Sequence, residues 1–208
     1  MMASAWHERE YDSSLPIRNG AFVAIVGPSG AGKDTLIAHA RSVLSDEPQV
    51  EFVRRVITRP CDGATEDHDT LDETGFAQSQ AAGAFALAWQ AHGLCYGIPA
   101  GVDRVIDNGH VAVANVSRGA LQALRERYSN VAVVEVTASP EILAERLAGR
   151  GRESRDEVLA RLARTVPSGI DGPNVVRLDN SGPREIAGDR LVAIIRKAIA
   201  FADISGTV

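Results

Sequence analysis

The stretch Gly27-Pro28-Ser29-Gly30-Ala31-Gly32-Lys33-Asp34-Thr35 decides how the chain is built. It follows an apolar run, Phe22 to Val26, that reads as a buried strand. It precedes Leu36 to Leu44, which reads as a helix. Strand, glycine-rich turn and helix in that order turn a short pattern into a phosphate-binding loop. Gly27, Gly30 and Gly32 let the backbone curl until its N–H groups point inward at an anion. The following helix presents the positive end of its dipole to the same point. Lys33 reaches the outer phosphates as a compact cation. A plain strand-to-helix turn requires neither the three glycines nor the lysine at this spacing. The segment from Gly27 to Thr35 is therefore the expected nucleoside-triphosphate site.

One position departs from the usual pattern. The residue after the lysine is normally Ser or Thr, whose hydroxyl binds magnesium; here it is Asp34, with Thr35 next. A carboxylate beside a triphosphate is repelled unless a cation lies between them. One reading has Asp34 facing Mg2+, directly or through water. The other has Asp34 capping the helix and Thr35 meeting the metal. The residues leave both open.

The 208 residues suffice for one sizeable domain. Apolar content of 45 % and charged content of 24 % suit a globular chain. A net charge of −5 implies no general attraction to nucleic acid. A mildly acidic protein that handles polyphosphates must concentrate its arginines locally. Two cysteines far apart, Cys61 and Cys95, suit reduced thiols better than a disulfide framework or a zinc site. No apolar stretch approaches the ~20 residues that span a membrane. Residues 1–20 carry Glu8, Glu10 and Asp12 and lack an apolar core, so they read as a loose leader and not as a signal peptide. The expected location is the cytoplasm, with no membrane partner; the oligomeric state is not legible.

Downstream, Val50 to Ile57 reads as one strand interrupted by Arg54 and Arg55, and Arg59 to Asp69 as an acidic loop. Glu73 to Gln80 reads as a short helix. Ala84 to Gln90 and Leu94 to Ile98 form a hairpin turning at His92-Gly93. Pro99 to Asn108 is a helix, Val111 to Val116 a strand, Arg118 to Tyr128 a helix, and Val131 to Val136 a strand. Pro140 to Leu147 is a helix opened by Ser139-Pro140. A basic turn at Gly149 to Ser154 leads to a helix from Arg155 to Thr165, a strand at Val175 to Leu178, and a last helix from Arg184 to Phe201. Strands alternating with helices predict a parallel sheet covered on both faces. The stretch 53–100 breaks that alternation and reads as an insertion able to fold over the site.

The loop Gly-Pro-Ser-Gly-Ala-Gly-Lys, then Thr58-Arg59-Pro60, then His92-Gly93-Leu94-Cys95-Tyr96-Gly97, then Gly149-Arg150-Gly151 stand in the order seen in guanylate kinases. The chain resembles that group from about Phe22 to Asn180. The resemblance implies an α/β fold of the nucleoside monophosphate kinase type. It has a P-loop NTPase core with a parallel sheet, a substrate-binding insertion at about 53–100 and a short lid at about 149–160, all in one domain over 21–208. The acceptor side departs from the pattern. Guanylate kinases carry a second arginine where this chain has Asp62 and a tyrosine where it has His68. They carry a guanine-pairing glutamate where it has Leu87, and a further acid near Asn115-Val116. Leu87 cannot accept from a guanine amino group, and an unmet polar edge loses binding strongly.

The replacements resemble the ribose 1,5-bisphosphate phosphokinases, the phosphonate-utilisation branch of this group. The shared features are Gly32-Lys33-Asp34, Ile57-Thr58-Arg59, Glu66-x-His68, Leu87-Ala88-Trp89, Asn115-x-Ser117-Arg118 and Ser139-Pro140-Glu141-Ile142-Leu143. The resemblance implies transfer of the γ-phosphoryl of ATP to ribose 1,5-bisphosphate, giving 5-phosphoribosyl 1-diphosphate, with Mg2+ as the metal. By the same resemblance Arg59, His68, Tyr96, Trp89 and Arg118 face the phosphorylated sugar, and Asn180 lies in the segment that reads adenine. Lys33, Arg150 and Arg161 are the expected catalytic cations. Arg146, Arg152, Arg155 and Arg164 read as solvated or paired with nearby glutamates. Removing a cation that acts on the transition state costs roughly 10²–10³ in rate. An ordinary nucleoside monophosphate kinase with an altered base pocket, and a silent binding module of the same fold, remain as alternatives.

Overall fold

The computed structural model describes residues 17, 19–59, 68–149, 159, 170–172 and 174–205. In chain order the elements are β1 (Ala21–Val26), α1 (Lys33–Val43), β2 (Val50–Phe52), β3 (Arg55–Ile57), β4 (His68–Thr70), α2 (Glu73–Ala81), β5 (Phe85–Ala91) and β6 (Leu94–Pro99). Then come α3 (Val102–Asp107), β7 (Val111–Asn115), a 3-10 turn at Arg118–Ala120, α4 (Leu121–Arg127), β8 (Val131–Thr137), α5 (Pro140–Ala148), β9 (Val175–Asp179) and α6 (Arg184–Ser205). The core is a five-stranded sheet ordered β2-β7-β1-β8-β9. Every pairing in it is parallel.

All six residues of β1 are buried, because both faces of the central strand are covered. Phe22, Ala24 and Val26 face a cluster containing Ile106, Leu121, Leu124 and Tyr128. Ala21, Val23 and Ile25 face Leu36, Ala40, Leu191 and Ile195. Each such aliphatic side chain taken fully out of water contributes roughly 1.5–3 kcal/mol. His39 and Asp189 also join α1 to α6, at 2.9 Å, but a pair this exposed contributes no more than about 1 kcal/mol. The apolar seam therefore dominates that contact.

The stretch read as one strand from Val50 to Ile57 is two strands in two sheets. Val50 to Phe52 runs parallel to β7 in the core, and the Val53 N–H still donates to the Val113 carbonyl at 2.9 Å. After Arg54 the chain crosses into a second sheet, ordered β4-β3-β6-β5. The run between is too short to show a turn signal in sequence. His68 to Thr70, read as loop, is the edge strand β4 of this sheet; residues 60–67 lie outside the described residues. The hairpin turns as expected, with φ of 52° at His92 and 75° at Gly93, the left-handed pair that a two-residue hairpin needs. This second sheet packs on the core through Leu87, Ile98 and Trp89, so the two share one apolar cluster.

Tyr128 fastens α4 to α3. It is 1 % exposed, stacks on Phe22 with ring centres 5.5 Å apart, and donates its hydroxyl hydrogen to Asp103 Oδ1 at 2.7 Å. Arg127 pairs with the same carboxylate. Burial, then the bond to Asp103, pushes the Tyr128 phenol above the usual tyrosine range. The folded value lies above the unfolded one, so this stabilisation is complete below about pH 10 and lost as pH rises through the folded value. Tyr128→Phe should lower unfolding free energy by about 1–2 kcal/mol in urea titrations at neutral pH, and the difference from the parent chain should shrink in strong alkali.

Candidate active site

The glycine-rich loop sits at the carboxyl end of β1, between that strand and α1. Gly27 has φ 148°, and a Cβ there would stand 2.2 Å from the Val136 carbonyl oxygen; backbone cannot yield at that distance. Gly32 is the N-cap of α1 with φ 88° and no side-chain cap. The Lys33 ammonium donates to the Gly27 carbonyl at 2.9 Å and the Pro28 carbonyl at 3.0 Å. That holds the cation over the loop, where phosphates enter a P-loop.

Asp34 does not cap the helix. It lies inside the first turn, and its Oδ1 accepts from Asn115 Nδ2 at 2.9 Å, which points the carboxylate at the carboxyl end of β7. Thr35 is exposed. A carboxylate held by an amide offers hard oxygen to a divalent cation, so the donor chemistry fits Mg2+ at Asp34. Among the described residues no three or more His, Cys, Asp or Glu gather to hold a metal. Asp69 pairs with Arg54 at 2.8 Å, and Asp72 caps α2 by accepting from the Gly75 N–H at 2.7 Å.

Two further residues are bonded to the loop itself. Asn180, expected against adenine, is 3 % exposed and donates from Nδ2 to the Ala31 carbonyl at 2.7 Å. Arg146, expected to be solvated or paired with glutamate, donates to the Asn180 carbonyl at 2.9 Å and reaches the Ala31 carbonyl at 3.5 Å. Both brace the phosphate loop from outside. Nothing local in sequence signals this, because the two sit 34 residues apart on α5 and just after β9.

Three of the expected sugar-facing residues, His68, Tyr96 and Trp89, share one face of the second sheet. Arg55 and His68 are register partners, as are Ile57 with Tyr96 and Tyr96 with Trp89. Alternation then places Arg55, His68, Tyr96 and Trp89 on the same side. The Trp89 and Tyr96 rings stack at 5.5 Å, 8° from parallel, and the Arg55 guanidinium lies 5.2 Å from the Tyr96 ring centre. Arg55, in sequence an interruption of an apolar run, is 7 % exposed and ends this ladder. His68, expected as a direct phosphate donor, is 3 % exposed. Its Nε2 lies 3.3 Å from the Arg59 carbonyl, which Thr70 Oγ1 also reaches at 3.0 Å. His68 therefore stands against the backbone of Arg59. The Thr58 hydroxyl oxygen accepts from the Cys95 N–H at 2.8 Å, tying the same loop to β6. Leu87 is buried in the shared cluster and offers no acceptor to a base.

Arg118 is neither a solvated helix residue nor a lone pocket cation. Its Nη2 donates to Glu135 Oε1 at 3.0 Å, and Arg177 Nε donates to Oε2 of the same carboxylate at 3.2 Å. Neither Glu135 nor Arg177 figured in the sequence reading. Arg150 and Arg161 lie outside the described residues, as do Glu66 and Asp67.

A parallel sheet with a phosphate loop at the end of its central strand, and a second sheet set against that end, defines a P-loop kinase of the guanylate-kinase-like fold. Guanylate kinase from Anaplasma phagocytophilum shares that fold, with a TM-score of 0.60 at 17 % identity over 86 % of this chain and 85 % of the other. A model of the AAA domain matches residues 22–166. Ribose 1,5-bisphosphate phosphokinase PhnN of Chelativorans sp. is 48 % identical over 209 residues, 100 % of each chain. The protein of that name from Brucella melitensis is 54 % identical over 163 residues, covering 78 % of this chain and 85 % of the relative. The chain belongs to the ribose 1,5-bisphosphate phosphokinase family. Among the described residues no helix is long and apolar enough to cross a membrane.

Asn180→Asp tests the brace. The variant puts a carboxylate oxygen where Nδ2 now donates to Ala31, so two acceptors face each other. ATP affinity, measured by isothermal titration calorimetry, should fall roughly tenfold or more, with Asn180→Ala affected less.

Proposed function

We propose that the chain transfers the γ-phosphoryl group of ATP to the 1-phosphate of ribose 1,5-bisphosphate, releasing ADP and 5-phosphoribosyl 1-diphosphate. An oxygen of the 1-phosphate attacks the γ-phosphorus while the bond from that phosphorus to the β–γ bridging oxygen breaks. The electron pair leaves on ADP, and no proton need move. Membership of the phosphokinase family over the full length carries this reading. The acceptor side supports it: Leu87 stands buried where a base-pairing carboxylate would be needed, while Arg59 and Tyr96 remain for a phosphate. A nucleoside monophosphate kinase would leave the guanine edge unmet.

Such a reaction asks the protein chiefly for positioning and charge. Lys33 and the loop N–H groups hold the ATP phosphates, and Asn180 and Arg146 keep the loop in shape. Arg59, fixed by His68 and Thr70, and Tyr96 hold the accepting phosphate; Arg118 addresses the second phosphate of the sugar. Trp89, stacked on Tyr96, closes the space a purine would take. Arg150 and Arg161 supply charge from the lid and help exclude water, which would otherwise hydrolyse ATP. Mg2+, when bound, neutralises charge on the β- and γ-phosphates; Asp34 is its proposed holder, with Thr35 beside it. The chain works on ATP and a small phosphorylated sugar in the cytoplasm.

Product analysis with ATP, magnesium and ribose 1,5-bisphosphate should yield 5-phosphoribosyl 1-diphosphate and ADP in equal amounts, and GMP in place of the bisphosphate should yield no GDP. Rapid GDP formation would overturn the assignment. The metal assignment has its own measurement. In electron paramagnetic resonance titrations of the ATP complex, Asp34→Asn should weaken Mn2+ binding roughly tenfold or more, and Thr35→Ala should change it little. The reverse order would move the metal to Thr35.

A further inference from the structure

Strand β8 reads Val-Ala-Val-Val-Glu-Val-Thr, a single charge in an otherwise valine-rich run, and that charge, Glu135, is 3 % exposed. Desolvating a carboxylate is costly, and an apolar residue in its place is often neutral or better for stability. Stability alone therefore gives weak reason for a glutamate here.

Its two partners come from opposite directions. Arg118 follows β7, and Arg177 belongs to β9. In the sheet order β1 lies between β7 and β8. Val26, the last residue before the phosphate loop, is the register partner of Glu135. To reach Glu135, Arg118 must cross the strand at the level of Val26. The same face of the sheet carries the packing of Leu87, Ile98 and Trp89 from the second sheet. Arg118 therefore lies between the root of the phosphate loop and the acceptor face, with its side chain 43 % exposed. Arg177, 61 % exposed, takes the other carboxylate oxygen and reaches the exposed Asp171 at 3.6 Å. With Asp171 counted, the two guanidinium groups and two carboxylates balance, and Arg118 is the cation of this group that stands beside the phosphate loop.

We infer that Glu135 is a positioning residue for the acceptor: it anchors Arg118 beside the phosphate loop so that the guanidinium meets the second phosphate of the bisphosphorylated sugar. Arg177 is the second cation on the same carboxylate. The inference rests on the functional reading above. It differs from a purely structural ion cluster in what it does to the two substrates. A guanidinium hinged on a fixed carboxylate has less freedom to lose when a phosphate arrives, so its loss weakens acceptor binding and leaves ATP binding alone.

The test is steady-state kinetics on the full chain with Glu135→Gln, which keeps the shape and removes the charge. KM for ribose 1,5-bisphosphate should rise roughly tenfold or more, KM for ATP should stay within about twofold, and the thermal midpoint should stay near that of the parent chain. Unchanged acceptor KM, an equal rise in both KM values, or a lowered thermal midpoint as the sole effect would overturn the inference and leave Glu135 a structural ion. If Glu135→Gln does not fold, Arg177→Gln on the exposed edge replaces it, with the same selective rise expected and an unchanged acceptor KM overturning the inference. A parent chain that leaves the bisphosphate untouched overturns the functional reading and this inference together. A parent chain that consumes it while the variant keeps its KM overturns this inference alone.

Discussion

The Ala31 carbonyl oxygen accepts from Asn180 at 2.7 Å and lies 3.5 Å from an Arg146 nitrogen, and on that brace the loop depends. A phosphate loop is a run of backbone bent so that its N–H groups point inward, which leaves carbonyls pointing outward. An outward carbonyl at a buried position needs a donor. Here the donor is a buried amide just past β9, steadied in turn by an arginine from α5. The loop is therefore held from α5 and from the residue just past β9.

The acceptor side rests on a different device. Arg55, Tyr96 and Trp89 form a cation–aromatic ladder across three strands, and His68 and Thr70 hold the backbone of Arg59 from the edge strand. Rings held parallel have few ways to move, and a guanidinium against a ring is favourable even when partly desolvated. The ladder gives the face a firm, flat, apolar floor next to a fixed arginine.

Charge is distributed to match. The chain is acidic overall, at −5, yet Lys33, Arg55, Arg59, Arg118, Arg146 and Arg177 all stand at or beneath the carboxyl end of the core sheet or on the acceptor face. The acids at this end are tied down: Asp34 by Asn115 and Glu135 by two arginines. Two polyanions meeting in one cleft repel each other strongly unless cations intervene, so local enrichment matters and the net value does not.

The sequence alone determined the phosphate loop, the parallel core and the hairpin, because each is local: glycines at fixed spacing, continuous apolar runs, and a His-Gly pair that tolerates positive φ. Resemblance in short motifs pointed to the acceptor residues one by one. What only the tertiary structure decided was partnership. Arg54 hides a crossing between two sheets, since a two-residue link reads the same inside a strand as between strands. Asn180 and Arg146 turned out to brace the loop, His68 to hold Arg59, and Arg118 to lean on Glu135, because a hydrogen bond between distant segments leaves no periodic trace. A side chain's type is written in the chain; the atom it meets depends on where the fold brings other segments.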